Sequence, residues 1–394
     1  MPSPSFLSLF SGCGGLDLGF VNEGFRPLAA FDNWDEAIAC YKRNLGTHIQ
    51  KADLRLGLPS PLALRPDVVV AGSPCQGFST AGHRKVDDPR NRLLDSAVRI
   101  GLALSPRVIV LENVPGLMYG SHKTYIDGAC ELLREAGYRT ETISLNAQSL
   151  GVPQNRKRVF LLAWKSNVAP IFDVKAKPLK TVGEVLENCD GQPNHEPAEV
   201  AHGSNDHKIS LKIGVGQKLC DIRRGSGAVH TWDIPEVFGR TNANERTLLD
   251  ALIRLRRTER ERDYGEGDAV TMSRLGRACK FDAAPVVDSL LMKGYLRKVS
   301  RRVDLKFTFN GKYRRLNPLG VANTVDSYFG DPRYVLHPTA HRGMTLREAA
   351  RIQSFPDTFV FGPSSRNQYR LIGNAVPPLM ARTVANLVRT RLLE

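Results

Sequence analysis

A cysteine between two glycines is the first residue in this sequence that could act as a nucleophile. Cys75 lies in the segment 71–79, directly after residues 65–70, a short β-branched run typical of a buried strand. Open α/β sheets bind ligands at the carboxyl ends of their strands. The glycines permit a sharp turn, and Pro74 stiffens it. Because a lone cysteine is more often buried and inert, the prediction of a reactive thiol depends on the rest of the chain.

A carboxyl and two guanidiniums accompany later strand-like segments. Glu112 comes directly after the run 107–111, and Arg156 and Arg158 come directly before the run 159–162. In a parallel sheet with right-handed crossovers, strand ends that carry such groups share one rim. We therefore expect these side chains to lie close to the thiol.

A glycine-rich turn predicts a cofactor site on the same rim. Residues 5–10 are typical of a first strand, and residues 11–15 form a strand-to-helix turn that suits a nucleotide-like cofactor. Asp17 occupies the sixth position counted from Gly12, where the GxGxxG pattern requires glycine. A plain NAD site is therefore disfavoured.

The tip of the predicted second strand offers groups that suit an adenosine. Asp32 could bind ribose hydroxyls, and Asn33 or Trp34 could cover an adenine face. The sequence thus predicts that the tip of the second strand contributes to the cofactor site.

Together these groups suit methylation of cytosine at carbon 5. A thiolate that adds to carbon 6 makes carbon 5 enamine-like, a carboxyl can protonate ring nitrogen 3, and a guanidinium can bind the carbonyl oxygen. Carbon 5 can then take a methyl group from a sulfonium. Loss of the carbon-5 proton and expulsion of the thiolate would complete the cycle.

The elements that must position these groups alternate between strand and helix. This alternation over residues 5–162 predicts a parallel, Rossmann-like α/β sheet. At the other end of the chain, a helix at 345–352, a tight turn at 371–378 and a final helix are expected to pack back on the sheet. We predict a catalytic domain over residues 1–175 and 340–394.

A smaller mixed domain is predicted over residues 176–339. Residues 208–232 form a basic, glycine-rich loop, and about residues 242–312 follow the order helix, short helix, helix, hairpin of a winged helix-turn-helix. A small packing subdomain without nucleic-acid contact is the alternative. Asp282 and Asp288 are poor hydrogen-bond donors to DNA, so the basic loop is the better contact surface.

The composition favours a polyanionic partner. The 394 residues carry a formal net charge of +15, which suits nucleic acid, although charge that only maintains solubility would give the same balance. The seven cysteines include no CxxC pair, which disfavours a structural zinc site and predicts reduced thiols in a cytoplasmic protein. No apolar run is long enough to span a bilayer, and the amino-terminal residues do not form a typical signal peptide.

The motifs, taken in order, resemble those of the bacterial DNA (cytosine-5)-methyltransferases. The resemblance extends over nearly the whole chain and is carried by FSGCGGLDLGF, DNW, ADL, GSPCQGFS, ENVPG, QNRKR, LREAARIQSFPD and GNAVPP. Each motif alone is weak or moderate evidence, whereas the ordered set is highly specific. Between QNRKR and LREAARIQSFPD the sequence matches the family only in position, where members carry their variable target-recognition domain.

The resemblance implies roles for individual residues. Cys75 would be the nucleophile, Glu112 would act at ring nitrogen 3, and Arg156 and Arg158 would hold the target base, with Arg158 at its carbonyl. The cofactor-binding residues would be Phe10, Ser11, Gly12, Gly14, Gly15, Asp32, Asn33, Trp34, Asp53, Leu54, Pro74, Leu93, Asn374 and Ala375. For DNA binding we predict Gln76 and Ser79 beside Cys75, together with four residues of the basic loop, Lys218, Arg223, Arg224 and His230. Family members often have glutamate at the ribose position, where this chain has Asp32 followed by Asn33.

The resemblance also implies the reaction partners. S-adenosyl-L-methionine would be the methyl donor and S-adenosyl-L-homocysteine the product, with no metal ion involved. The substrate would be double-stranded DNA whose target cytosine is flipped out of the helix. The enzyme would be a monomer, and it would be paired in function with a restriction endonuclease. Cytosine-5 methylation of tRNA is an alternative, disfavoured by the long insert and the absence of a Cys-Phe-Thr element. A non-catalytic DNA-binding regulator is disfavoured because the predicted catalytic residues are intact.

Overall fold

Two compact units make up the chain. The computed structural model describes residues 3–59, 64–74, 92–166, 170–258, 260 and 267–393. The first unit, here called the sheet unit, comprises Met1–Glu196, Leu319–Ser327 and Thr345–Glu394. The second unit comprises Pro197–Pro318 and Tyr328–Met344. The predicted bounds at 175/176 and 339/340 do not coincide with this division, and they stay a prediction about functional domains.

A seven-stranded sheet with helices on both faces organises the sheet unit. Its elements in this part of the chain are β1 (Ser5–Leu9), α1 (Gly15–Asn22), β2 (Arg26–Asp32), α2 (Asp35–Leu45), β3 (Ile49–Lys51), β4 (Val68–Gly72), α3 (Arg92–Leu104), β5 (Val108–Asn113), α4 (Lys123–Glu135), β6 (Arg139–Asn146), β7 (Lys157–Trp164) and α5 (Val182–Leu186). The predicted α/β class is therefore confirmed.

The direction of one strand departs from the prediction. The strand order is β3-β2-β1-β4-β5-β7-β6, and β7 runs antiparallel to both of its neighbours, while the pairs formed by β1 to β5 are parallel. The expectation of a wholly parallel sheet is wrong here. Residues 147–156 join β6 to β7, and a parallel neighbour requires a longer crossover, usually a helix.

Helices on both faces explain why the central strands are apolar on both sides. All residues of β1 and β5 are buried. Val69 and Ile109 belong to a core that includes residues of α3 and α4. Val68 and Val110 point the other way, into a core that includes residues of α1. Helices therefore pack on both faces of the sheet, and the ends of its strands remain as the rim where the candidate site residues were predicted.

In its described residues, the second unit is a set of helices with three small sheets. Its elements are α6 (Asn205–Lys212), β8 (Lys218–Cys220), β9 (Ala228–Val229), α7 (Pro235–Phe238), α8 (Ala243–Thr258), β10 (Val270–Thr271), α9 (Met272–Cys279), α10 (Ala283–Met292), β11 (Leu296–Val299), β12 (Arg302–Leu305), β13 (Asn310–Lys312), β14 (Arg314–Arg315) and β15 (Val335–Leu336). Strands β10, β12 and β11 form one antiparallel sheet. The helices and hairpin follow the predicted order, and the winged-helix assignment itself stays a prediction.

The carboxyl-terminal segment returns to the sheet unit as three helices. They are α11 (Leu346–Ile352), α12 (Arg366–Asn374) and α13 (Pro378–Leu387), and α13 continues into a π-helical turn at Val388–Leu393. Gly19 of α1 packs directly on α13, because a Cβ there would lie 2.3 Å from the Cβ of Ala381.

The predicted tight turn at 371–378 is wrong in its first half. Residues 371–374 form the last turn of α12, and extended backbone begins at Ala375, with ψ of 149°. The two prolines 377 and 378 lack the amide hydrogen that a continuing helix needs. They therefore stop α12 after Asn374 rather than before it.

Candidate active site

The glycine-rich turn between β1 and α1 has a backbone that few residues other than glycine adopt. Gly12 has φ of 56° and Gly14 has φ of 94°, both in the left-handed region. A Cβ on Gly14 would lie 2.3 Å from Cδ1 of Leu45, so the turn packs closely on α2. Phe10 also has a positive φ, of 53°, which is unusual for an aromatic residue. This turn forms one wall of a cavity.

Asp32 ties the end of β2 to this turn. Its Oδ2 accepts a hydrogen bond from the Gly12 amide at 2.8 Å, and its Oδ1 accepts one from the Trp34 amide at 2.9 Å. Burial raises the pKa of Asp32, although these amide hydrogen bonds act in the opposite direction. Each carboxylate oxygen retains a second lone pair. The predicted contact of Asp32 with ribose therefore stays a prediction. Its two hydrogen bonds with backbone amides already hold the glycine-rich turn and the end of β2 together.

Glu112 and Arg158 form an ion pair at the rim of the sheet. Arg158 Nε lies 2.9 Å from Glu112 Oε1, and the two side chains are only 12% and 10% exposed. Because β7 is antiparallel, its amino end meets the carboxyl end of β5, where Glu112 pairs with Phe160. Burial raises the pKa of Glu112, and this effect outweighs the lowering by the guanidiniums of Arg158 and Arg156.

A cavity of about 440 Å³ brings the turn and the ion pair together. This volume is in the range typical of small-molecule sites. Twelve residues predicted for catalysis or cofactor binding line the cavity, namely Phe10, Ser11, Gly12, Gly15, Asp32, Asn33, Trp34, Pro74, Glu112, Arg158, Asn374 and Ala375. All of them belong to the sheet unit.

Five other described residues predicted for the site do not line this cavity, namely Gly14, Asp53, Leu54, Leu93 and Arg156. Asp53 accepts from the Arg55 amide at the start of a short 3-10 turn and pairs with the Arg55 side chain. Leu54 is buried in the core. Arg156 is buried and donates to the carbonyls of Gly373 and Ala375. Their predicted roles stay predictions.

Three predicted residues lie outside the described residues. They are the predicted nucleophile Cys75 and the predicted DNA contacts Gln76 and Ser79. Strand β4, which precedes them, ends at Gly72, and both Gly72 and Pro74 line the cavity.

Sequence reasoning missed two charged residues of the cavity wall. The Arg370 guanidinium lies 4.9 Å from the centre of the Trp34 ring. Asp17 accepts from the Ser8 hydroxyl at 2.7 Å and from the Tyr41 hydroxyl at 2.8 Å, and burial raises the pKa of Asp17 to about 6. Asp17 lies inside the motif FSGCGGLDLGF, whereas Arg370 lies three residues before GNAVPP. Their positions were visible, but nothing in the pattern showed where the side chains point.

The predicted DNA contacts that the structure describes lie in the second unit. Lys218 begins β8. Arg224 forms an ion pair with Asp250 at 3.0 Å, and both side chains are largely exposed. The His230 ring stacks on Trp232 with centroids 4.6 Å apart. Burial lowers the pKa of His230, but hydrogen bonds with Asp233 and with the Arg223 carbonyl outweigh this and leave it raised.

Neither a metal site nor a membrane span is found in the part of the chain that the structure describes. No group of three or more histidine, cysteine, aspartate or glutamate side chains there could hold a metal ion. No helix among these residues has the length and apolar character needed to cross a membrane.

Nearly the whole chain is similar in sequence to known proteins. The model of the C-5 cytosine-specific DNA methylase family matches residues 5–389. The Type II methyltransferase M.AgeI of Thalassovita gelatinovora is 30% identical over 98% of this chain and 99% of its own. M.XorII of Xanthomonas oryzae pv. oryzae, also a Type II methyltransferase, is 29% identical over 100% of this chain and 86% of its own.

Among solved structures, a prophage-encoded protein of E. coli assigned as a DNA modification methyltransferase has a similar fold. Its TM-score is 0.60 at 22% identity, with 100% of both chains covered. This likeness concerns the fold, which agrees with the doubly wound sheet described above.

Proposed function

This chain belongs to the C-5 cytosine-specific DNA methylase family and is a DNA cytosine-5 methyltransferase, and we propose that it moves the methyl group of S-adenosyl-methionine onto a cytosine flipped out of duplex DNA. The observation that carries this proposal is the Glu112–Arg158 ion pair in the wall of the cavity that the glycine-rich turn also lines. The ion pair offers groups that suit the target base, and the glycine-rich turn in the same cavity offers groups that suit the cofactor.

The cavity wall fits S-adenosyl-methionine. A Cβ on Gly12 would meet nothing within 4 Å, so the turn leaves open space where a ligand can approach the backbone. Trp34 offers an aromatic face, and Asp32 offers a carboxylate near it. When bound, S-adenosyl-methionine supplies an electrophilic methyl group on a sulfonium. The residues of the wall would hold it and exclude water around it.

Glu112 and Arg158 would activate the target base. The raised pKa of Glu112 favours its protonated form, which can donate a proton to ring nitrogen 3. Arg158, held beside it, can donate to the carbonyl oxygen and stabilise negative charge there. Both effects make carbon 6 more susceptible to a nucleophile.

Cys75 would be that nucleophile. Its sulfur forms a bond to carbon 6 while Glu112 gives its proton to nitrogen 3, and carbon 5 then takes the methyl group. A base then removes the carbon-5 proton while the carbon–sulfur bond breaks, and this elimination reforms the 5,6 double bond, releases the thiolate and returns the nitrogen-3 proton to Glu112. The cytosine must leave the helical stack for this, at a loss of roughly a few kcal/mol of stacking and pairing.

The setting follows from the relatives. M.AgeI and M.XorII are named Type II methyltransferases, and by analogy this enzyme would protect double-stranded DNA against a paired restriction endonuclease. It would act as a monomer in the bacterial cytoplasm.

A labelling assay tests the proposed function. Wild-type protein incubated with tritiated S-adenosyl-methionine is expected to label carbon 5 of cytosine in plasmid DNA, and Cys75→Ser is expected to label nothing. Cys130→Ser, which changes a buried cysteine of the sheet unit outside the cavity, is the matched control and should label normally. Label in tRNA alone, or full labelling by Cys75→Ser, would refute the proposal.

A further inference from the structure

A buried arginine joins the start of β7 to the end of α12. Arg156 is only 1% exposed. Its Nη2 donates to the carbonyl of Gly373 at 2.8 Å and to the carbonyl of Ala375 at 2.9 Å. These two carbonyls flank Asn374, and all three residues 373–375 line the cavity. Arg156 therefore supports a part of the wall without lining it.

Two buried glutamines complete the support. Gln353 Nε2 donates to the same Ala375 carbonyl at 2.6 Å. Gln154 Nε2 donates to Gln353 Oε1 at 2.5 Å, and Gln154 Oε1 accepts from the Val325 amide at 3.0 Å. Both glutamines are fully buried. We call Gln154, Arg156 and Gln353 the carbonyl clamp.

The end of α12 needs such donors. The last carbonyls of a helix have no partner within the helix, and the prolines 377 and 378 prevent the chain from continuing it. A positive charge near a helix carboxyl terminus is also favourable. From just before β7 and just after α11, the clamp thus supplies the donors that the local sequence of α12 lacks, and it fixes the extended backbone at Ala375.

Arg158 has a different environment. Its guanidinium pairs with Glu112 in the cavity wall, where a substrate base could replace or share that contact. The guanidinium of Arg156 is engaged by carbonyls behind the wall. Two arginines of one motif therefore have separate positions, although sequence reasoning assigned both to the target base.

We propose that the carbonyl clamp is a positioning device for S-adenosyl-methionine, in which Arg156 and Gln353 hold residues 373–375 in the shape that binds the cofactor. The inference rests on the proposed function and makes the role of Arg156 more specific. It assigns Arg156 to the support of the cofactor-binding residues rather than to contact with the target base. A buried hydrogen-bonded network makes the segments that it joins rigid. Loss of the clamp is therefore expected to change the conformation of residues 373–375.

The test uses Arg156→Lys and Gln353→Glu. Lysine keeps the charge but presents a single ammonium with a shorter reach, and glutamate removes the donor to Ala375. Each is expected to weaken S-adenosyl-homocysteine binding without DNA by about tenfold or more, as the removal of hydrogen bonds of this kind implies. Calorimetry measures this Kd. At saturating cofactor, covalent trapping on 5-fluorocytosine DNA should keep its rate within about twofold.

Arg158→Lys is the matched comparison. It should leave the Kd for S-adenosyl-homocysteine unchanged and slow trapping at saturating cofactor. Arg99→Lys, in an exposed ion pair with Asp95, should change neither value, and thermal unfolding shows whether each variant is folded. If Arg156→Lys does not fold, Gln353→Glu carries the test.

The inference is overturned if Arg156→Lys binds the cofactor normally and traps slowly, or if Gln353→Glu has the wild-type Kd. Failure of the proposed function would be seen differently, as absence of labelling and trapping by the wild type. Because cofactor binding is measured without DNA, the two failures are distinguishable.

Discussion

At the scale of single residues, the proposed mechanism depends on Glu112, a carboxyl whose burial raises its pKa. Glu112 is buried, and that burial raises its pKa despite the guanidinium of Arg158 at 2.9 Å. A general acid is most useful when its pKa is near the working pH. The same burial that makes Glu112 hard to ionise therefore suits it to protonating a ring nitrogen.

Replacement of Glu112 should expose this dependence. In the wild type, kcat is expected to fall as pH rises through the raised pKa of Glu112, because the protonated form is lost there. Glu112→Gln cannot deliver a proton, so its kcat should drop by about 10² to 10⁴-fold and this limb of the pH profile should flatten. Glu135→Gln, an exposed position on α4, is the control. A wild-type profile in Glu112→Gln would contradict the assignment.

At the scale of elements, α1 sets the site by close packing. The glycine-rich turn directs the chain into α1, and Gly19 lets α1 approach α13 until a Cβ there would lie 2.5 Å from the Arg382 amide nitrogen. Helix α13 follows directly on the wall residues 373–376. The two walls of the cavity are therefore held together by one helix pair.

A methyl group at this contact should loosen the pair. Gly19→Ala is expected to destabilise the protein by about 1–3 kcal/mol through overpacking, which lowers Tm by several degrees. Gly128→Ala on α4, where a Cβ would meet nothing within 4 Å, should be neutral or slightly stabilising. Thermal unfolding followed by circular dichroism measures both. Equal Tm values for the two variants would show that the close approach is absent in solution.

At the scale of the whole molecule, charge is the main property that concerns DNA. The formal net charge of +15 favours a phosphate backbone. In the second unit, Arg223 and Arg224 lie between β8 and β9, and Lys218 begins β8. Contacts between such cations and DNA phosphates would release counterions and make binding depend on salt.

Removal of these charges should change the salt dependence of binding. The triple variant Lys218→Ala, Arg223→Ala, Arg224→Ala is expected to bind DNA more weakly, and the slope of log Kd against log salt should fall by about 0.9 for each phosphate that the variant no longer neutralises. Filter binding at several salt concentrations measures this. The control Lys51→Ala, Arg99→Ala, Lys123→Ala removes three exposed cations of the sheet unit. The same slope in both variants would disprove the predicted contact surface.

The sequence by itself determined the fold class and the family, and it predicted twelve of the residues that line the cavity. Runs of β-branched residues, glycines with forced backbone angles and strand-end polar groups are local signals, and each is written in a few adjacent residues. Asp32 and Glu112 were found in this way, as was the turn around Gly12. The smaller domain was predicted mainly from its position between the motifs, because the order of its helices is a local signal but its surface chemistry is not.

Only the tertiary structure decided which side chains meet. The reversal of β7 depends on the length of its connection and on pairing with β5, and it brings Arg158 to Glu112 from the opposite chain direction. Arg156, two residues away, is directed behind the wall, where its Nη2 donates to the carbonyls of Gly373 and Ala375. Partners more than 200 positions away in sequence decide such contacts, and no local pattern encodes them.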